Sequence, residues 1–358
     1  MKRLDRVIGH DNALDQFSRS VGAGRLHHGW IIGGQRGIGK MTLACQIAKA
    51  VIANAPDADT ATNLFGEPEP WTAILEDDHP IHNRVRQGAV AELKIITPGF
   101  NEKTKKHKSE IGVDEIRSLL SLYQLTSAEG NWRVTIIDSA DAMTRQAANA
   151  LLKILEEPPA RSLLILIAHA PGRLLPTLRS RCMTLNLSSL DDHAMDMVMT
   201  LHAEAEGEGH ELPAGWQENW REVSGLAKGA PGAVFDYLEK GAADILSSFR
   251  SVCEQPPNGV IDTTDQLISQ FGTGSDAQTR FALFVELLQD ACLQTVRTHA
   301  GSREAQGSSQ LDPLWALWEK ARHEQNSVPA LNLDPAEAAR GLLIEWVKCQ
   351  TRLSHFQP

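Results

Sequence analysis

The stretch GWIIGGQRGIGKMTLACQIAKAVIA, residues 29–53, constrains this chain more than any other. An apolar run, a glycine-rich turn and a helix-forming run follow one another without a break. A buried strand that ends in such a turn and opens a helix leaves backbone N–H groups converging at a helix N-terminus, which favours phosphate. The pattern G-x-x-x-x-G-K is met by Gly34, Gly39 and Lys40, with Gly37 a further glycine inside the turn. Lys40 would add a charge for the β- and γ-phosphates. With this strand–turn–helix context, a chance glycine-rich turn is the poorer explanation. The next position breaks the pattern: a hydroxyl normally follows the lysine and holds magnesium, but here Met41 follows it. A thioether is a poor ligand for a hard cation. Thr42 would point about 100° further around the helix and does not substitute. The expectation is a phosphate site with impaired metal positioning.

Around this loop the first half alternates apolar runs with helical patterns, which predicts a parallel sheet covered by helices. GWIIGG (29–34), AELKIITP (91–98), WRVTIID (132–138) and SLLILIAHA (162–170) read as strands. MTLACQIAKAVIA (41–53), VDEIRSLLSLYQLT (113–126) and TRQAANALLKILEE (144–157) read as helices, the last stopped by Pro158 and Pro159. The segment 54–80 is rich in Pro, Asp and Thr without periodicity and reads as an insertion or long loop. Beyond about residue 186 strand signals stop and helical patterns take over, broken at EGEGHELPAG, KGAPGA, EQPPNG and GSREAQGSSQ. The expected fold class is α/β: a P-loop parallel-sheet domain over 1–186, an all-helical lid over 187–241 and an all-helical C-terminal domain over 242–358.

A net charge of -10 argues against a protein that coats nucleic acid by itself. The low aromatic content of 5% argues against a stacking platform for single strands. The basic run NEKTKKHKSE (101–110) fits an exposed charged loop better than a DNA contact. Cys45, Cys182, Cys253, Cys292 and Cys349 lie far apart with no C-x-x-C pair, which offers no disulfide framework and suits a reducing cytoplasm. The opening MKRLDRVIGHDNALDQF lacks the apolar core of a signal peptide, and LLILIA (163–168) is too short to span a bilayer. A cytoplasmic chain is expected. Trp216, Trp220, Trp315, Trp318 and Trp346 all lie in the helical half, where spacing such as LWALW suggests core or interface packing.

Nucleotide hydrolysis also needs an acidic residue at the end of a neighbouring strand, followed in one large branch by a Glu that activates water. Asp138 ends the strand 132–138, but Ser139 stands in the place of that Glu. A serine is no general base without a partner. Asp141, in the turn that follows, fits a cap for the next helix.

HAPGRLLPTLRSRC, residues 169–182, places Arg173, Arg179 and Arg181 just after a buried strand, on a segment stiffened by Pro171 and Pro176. Alone, this reads as a solvated basic turn. Together with NALLKILEEPP (149–159), VIGHDNALDQF and GRLHHGWIIGGQRGIGK, it resembles the AAA+ clamp-loader family, and within it the delta-prime branch of bacterial DNA polymerase III. The likeness covers residues 5–186 strongly and the remainder by helical character alone.

That resemblance implies a member of a five-part ring that opens the sliding clamp and loads it on primed DNA, with gamma/tau motor and delta subunits as neighbours. It implies that Arg181 of the SRC signature reaches ATP held by an adjacent subunit, with Ser180 and Cys182 as positioning residues. An arginine supplied in trans is worth roughly 10³ to 10⁵ in rate. It further implies a chain that binds ATP or ADP weakly or not at all and lacks ATPase activity of its own, in keeping with Met41 and Ser139. The helices of 242–358 would form the collar through which the ring assembles. Active members carry an arginine in a G-S-x-R-like pattern that would fall in KGAPGAVFD near Gly232, where none is found. Some delta-prime proteins hold a four-cysteine zinc module after the P-loop helix. Here only Cys45 lies nearby, with His79 and His82, and no zinc is expected.

Overall fold

In a computed structural model the described residues are 6–23, 26–54, 71–76, 78–101, 106–107, 110–124, 132–204, 216–254, 260–300 and 311–354. The chain forms two compact units, Met1–His210 with Gly229–Gly232, and Glu211–Lys228 with Ala233–Pro358.

The first unit begins with helix α1 (Asp11–Gly22), strand β1 (Gly29–Gly33) and helix α2 (Lys40–Asn54). Helix α3 (Pro80–Arg86), strand β2 (Leu93–Ile96) and two short paired segments, β3 (Phe100–Asn101) and β4 (Lys106–His107), follow. Then come α4 (Val113–Gln124), β5 (Arg133–Ile137), α5 (Arg145–Glu156), β6 (Ser162–Ala168), α6 (Pro176–Arg179), β7 (Met183–Asn186) and α7 (Asp192–Glu204). A five-stranded sheet has the order β2-β5-β6-β1-β7, with every pairing parallel. Crossover helices cover both faces of a parallel sheet, so its central strands read as unbroken apolar runs. Every residue of β1 and β6 is accordingly buried. One face packs Ile31, Ile137 and Leu166 against Ile116 of α4 and Leu151, Ile154 and Leu155 of α5.

Several short elements were not among those expected, β7 and α3 among them. Met183–Asn186 is a fifth strand, paired in register with β1 from Trp30↔Met183 to Gly33↔Asn186. Only Leu185 of its four residues is covered, so it carries no apolar run. The segment 54–80 is largely outside the described residues, but its last residue, Pro80, opens α3. Most of the basic run 101–110 and the breaks at 206–215, 255–259 and 301–310 also lie outside them.

The second unit is helical among its described residues: α8 (Trp216–Ala227), α9 (Pro231–Glu239), α10 (Ala242–Glu254), α11 (Val260–Ser269), α12 (Ser275–Ala300), α13 (Asp312–Ala330) and α14 (Pro335–Ser354). Phe284 lies at its centre, its ring 6.1 Å from Phe249 and 5.8 Å from Phe271. Trp346 lies 6.0 Å from Phe249 and donates from Nε1 to Cys253 Sγ. Trp216, Trp220 and Trp346 are buried, whereas Trp315 is 53% exposed and stacks on Trp318 at 5.3 Å. No described helix is long and apolar enough to cross a membrane.

Phe284→Ala removes the ring shared by two aromatic pairs and is expected to cost about 3–5 kcal/mol. Urea unfolding followed by tryptophan fluorescence checks this.

Candidate nucleotide site and arginine edge

The turn after β1 is closely surrounded. Gly34 has φ +147°, and a Cβ there would come within 2.7 Å of Leu187 O and 2.6 Å of Ile38 Cδ1. Gly37 has φ +84°. Only glycine meets both demands without strain. The turn is fixed from outside by His10, whose Nε2 donates to Ile38 O at 2.7 Å.

Lys40 opens α2 and is buried. Its Nζ donates to Gly34 O and Gln35 O, each at 2.6 Å, so the ammonium closes the loop on its own carbonyls. Burial lowers its pKa from 10.5 to about 8, against the raising pull of Asp138 and Asp141. A phosphate that replaced those carbonyls would strengthen the preference for the charged form. Gly232 N donates to Gly37 O at 2.9 Å, and a Cβ on Gly232 would stand 2.9 Å from Gly37 Cα. The position that would correspond to the absent arginine therefore meets the phosphate turn through bare backbone.

Met41 lies one residue into the helix, with Cys45 Sγ 3.8 Å from its sulfur. Thr42 is the next residue along the same turn of α2. Asp138, at the C-terminal end of β5, has its N–H bound to Ile96 O at 2.8 Å. Ser139 has φ 62°, a left-handed conformation that is uncommon outside glycine, and such strain concentrates at functional sites.

The environment of Ser139 was not legible in the sequence. Its Oγ lies 3.2 Å from His169 Nε2, just beyond β6. The other ring nitrogen, Nδ1, is buried without a hydrogen-bond partner. Burial, then the Lys40 charge, holds His169 below its ordinary value. Asp141 is not the helix cap expected of it. Its carboxylate accepts from His169 N at 3.2 Å and Ala170 N at 2.9 Å, tying the turn after β5 to the turn after β6. Thr144 caps α5 instead, accepting from Ala147 N at 3.2 Å. Parallel register brings these turns near one another: β5 ends at the pair Ile137↔Leu166, and β6 runs only two residues further, to Ala168.

Arg181 lies between α6 and β7 on the edge next to β1. Its Nη1 donates to Thr177 O at 3.1 Å, and its Nη2 lies 3.0 Å from Glu156 Oε1. Ser180 Oγ donates to Thr177 O at 3.1 Å and is exposed. Cys182 faces inward, its thiol pushed up to about 12 by burial. Arg173 and Arg179 are exposed. The structure thus separates two groups: Gly34, Gly37, Gly39, Lys40, Met41, Thr42 and Asp138 around the phosphate turn, and Ser180 with Arg181 at the rim before β7.

His79 accepts from Ile81 N at 3.2 Å as a helix cap, while His82 contacts Lys49 Nζ at 2.9 Å and Glu76 O at 3.1 Å. Among the described residues no group of three or more His, Cys, Asp or Glu side chains could hold a metal ion.

Residues 9–191 match the family model described as DNA polymerase III, delta subunit. The chain belongs to this clamp-loader family. A delta' subunit of DNA polymerase III from Pseudomonas aeruginosa is 34% identical over 166 residues, which is 46% of this chain and 44% of that protein. The tau subunit from Salmonella typhimurium is 28% identical over 259 residues, 72% of this chain and 36% of that protein. These alignments therefore span less than half the length of the curated relatives. A solved DNA polymerase III gamma subunit-related protein from Thermotoga maritima aligns with a TM-score of 0.49 and 17% identity, covering 95% of this chain and 99% of that one.

Asp141→Ala removes the acceptor of two backbone N–H groups and is expected to destabilise the first unit by about 2 kcal/mol, more than loss of a helix cap would. Thermal unfolding of wild type and variant measures this. His10, His28, His169 and His202 are each held below 6.5, in each case chiefly by burial. The unfolded chain therefore takes up these protons first. Their stabilising contribution is complete above about pH 6.5 and is lost as pH falls below it. The urea midpoint should be lower at pH 5.5 than at pH 7.5, and His169→Gln should flatten the dependence.

Proposed function

We propose that this chain is the delta-prime-like, non-hydrolysing member of the DNA polymerase III clamp loader, helping to load the sliding clamp on primed DNA during replication. Its role is to hold Arg181 at a subunit edge, where it completes an ATP site on a neighbouring gamma/tau motor subunit. The observation that carries the reading is a division within one domain. The phosphate turn keeps its glycines and Lys40, yet a thioether follows the lysine and a serine follows Asp138. Meanwhile the Arg181 side chain remains 39% exposed at the rim.

ATP or ADP fits the turn as far as phosphate is concerned. Gly34, Gly37 and Gly39 leave room for backbone N–H donors, and Lys40 supplies the charge. Nothing at residue 41 offers an oxygen to magnesium. Asp138 and Ser139 do not form a carboxylate pair. Nucleotide is therefore held weakly and without turnover, its role being to stabilise the domain rather than to drive it. The helical part would divide into a lid, 187–241, and a collar, 242–358, through which the chain joins the motor and delta subunits in the cytoplasm.

An ATP-hydrolysing motor subunit is the second reading, favoured by the longer alignment with tau. It requires a hydroxyl at residue 41 and a Glu at residue 139, and the chain has Met41 and Ser139.

Arg181→Ala should leave folding and assembly intact while slowing ATP turnover of the complex reconstituted with motor and delta subunits, clamp and primed DNA. The expected loss at the affected site is roughly 10³-fold, the lower figure for an arginine supplied in trans. Unchanged turnover would refute the arginine-donor role.

A further inference from the structure

Glu156 occupies a position that helix physics disfavours. It is the last residue of α5, where unpaired carbonyls make the helix end negative and favour Lys or Arg over a carboxylate. A residue that violates its local rule marks a place where another demand prevails. Here that demand is visible, because Glu156 Oε1 lies 3.0 Å from Nη2 of Arg181.

The pair stands on a fixed base. Leu155 O, at the same helix end, accepts from His28 Nε2 at 3.0 Å, just before β1. A Cβ on Gly29, the first residue of β1, would meet Leu155 Cδ2 at 2.7 Å and Arg181 O at 3.4 Å. The backbones beneath both charged side chains therefore converge on the start of one central strand. Cys182, packed inward, anchors the chain immediately after Arg181.

A guanidinium carries five N–H donors in a rigid plane. One is used by Thr177 O and one by Glu156, which leaves three for a ligand outside this chain. Held from two sides, the side chain has surrendered much of its rotamer freedom before any ligand arrives, and such preorganisation matters most for transition-state charge. We infer that Glu156 is a positioning residue for Arg181, fixing the guanidinium so that its free donors face the phosphates of a nucleotide held by the adjacent subunit. The inference rests on the arginine-donor reading and adds to it a second residue, acting through the first.

The test is a double-mutant cycle in the reconstituted complex, reading kcat and KM for ATP separately. Glu156→Ala should lower kcat roughly tenfold with little change in KM, well short of the loss in Arg181→Ala, because the donor is misplaced rather than removed. Glu156→Gln, which keeps an acceptor for Nη2, should restore most of the rate. In an Arg181→Ala background, Glu156→Ala should have no further effect. The thermal midpoint of the isolated chain should be unchanged or slightly raised by Glu156→Ala, which separates positioning from folding.

An unchanged kcat in Glu156→Ala, with Arg181→Ala impaired, overturns the positioning role and leaves the arginine-donor reading standing. An equal loss with and without Arg181 overturns it too, since Glu156 would then act elsewhere. An Arg181→Ala variant of full activity removes both.

Discussion

The placement of β1 between β6 and β7 is the constraint on which the first unit depends. Its fully buried residues pair in parallel on both sides, from Gly29↔Leu164 to Gly33↔Ala168 and from Trp30↔Met183 to Gly33↔Asn186. One end of the strand delivers the phosphate turn beside the turn that holds His169. The other end, at Gly29, is where Leu155 and Arg181 converge. The two chemical regions of the domain thus lie at opposite ends of a single short strand. A shift in its register would misplace both.

The phosphate turn is built with more care than an idle loop requires. Gly34 is wedged against Leu187 and Ile38, His10 holds Ile38 O, and Lys40, its pKa lowered by burial, bonds two loop carbonyls. Met41 follows the lysine and Ser139 follows Asp138, so the first position lacks the hydroxyl and the second the carboxylate that hydrolysis would call on. Ser139, in a left-handed conformation, meets an imidazole rather than providing a carboxylate, and Asp141 serves as a staple between two turns.

The central strands were legible because a parallel sheet buried on both faces demands unbroken apolar runs, as in WII and LLILIA. β7 was not legible, since an edge strand of four residues with only Leu185 covered carries too short a pattern. The glycine-rich turn and the SRC segment could be singled out as candidates because their residues are adjacent in sequence. The contacts Ser139–His169, Asp141–Ala170 and Glu156–Arg181 join residues separated by a helix and a strand, and nothing local marks them. In the helical unit, LWALW suggested core or interface packing; the core positions of that turn are Leu314 and Leu317, while Trp315 faces outward.

The most direct test of the central claim is ATP turnover by the purified chain alone, with magnesium, beside the Lys40→Ala variant. The account predicts no turnover above that of Lys40→Ala, because neither Met41 nor Ser139 can take the part of the residue it replaces. Robust magnesium-dependent turnover that disappears in Lys40→Ala would contradict it. The chain would then be a motor with its metal and water held by other residues.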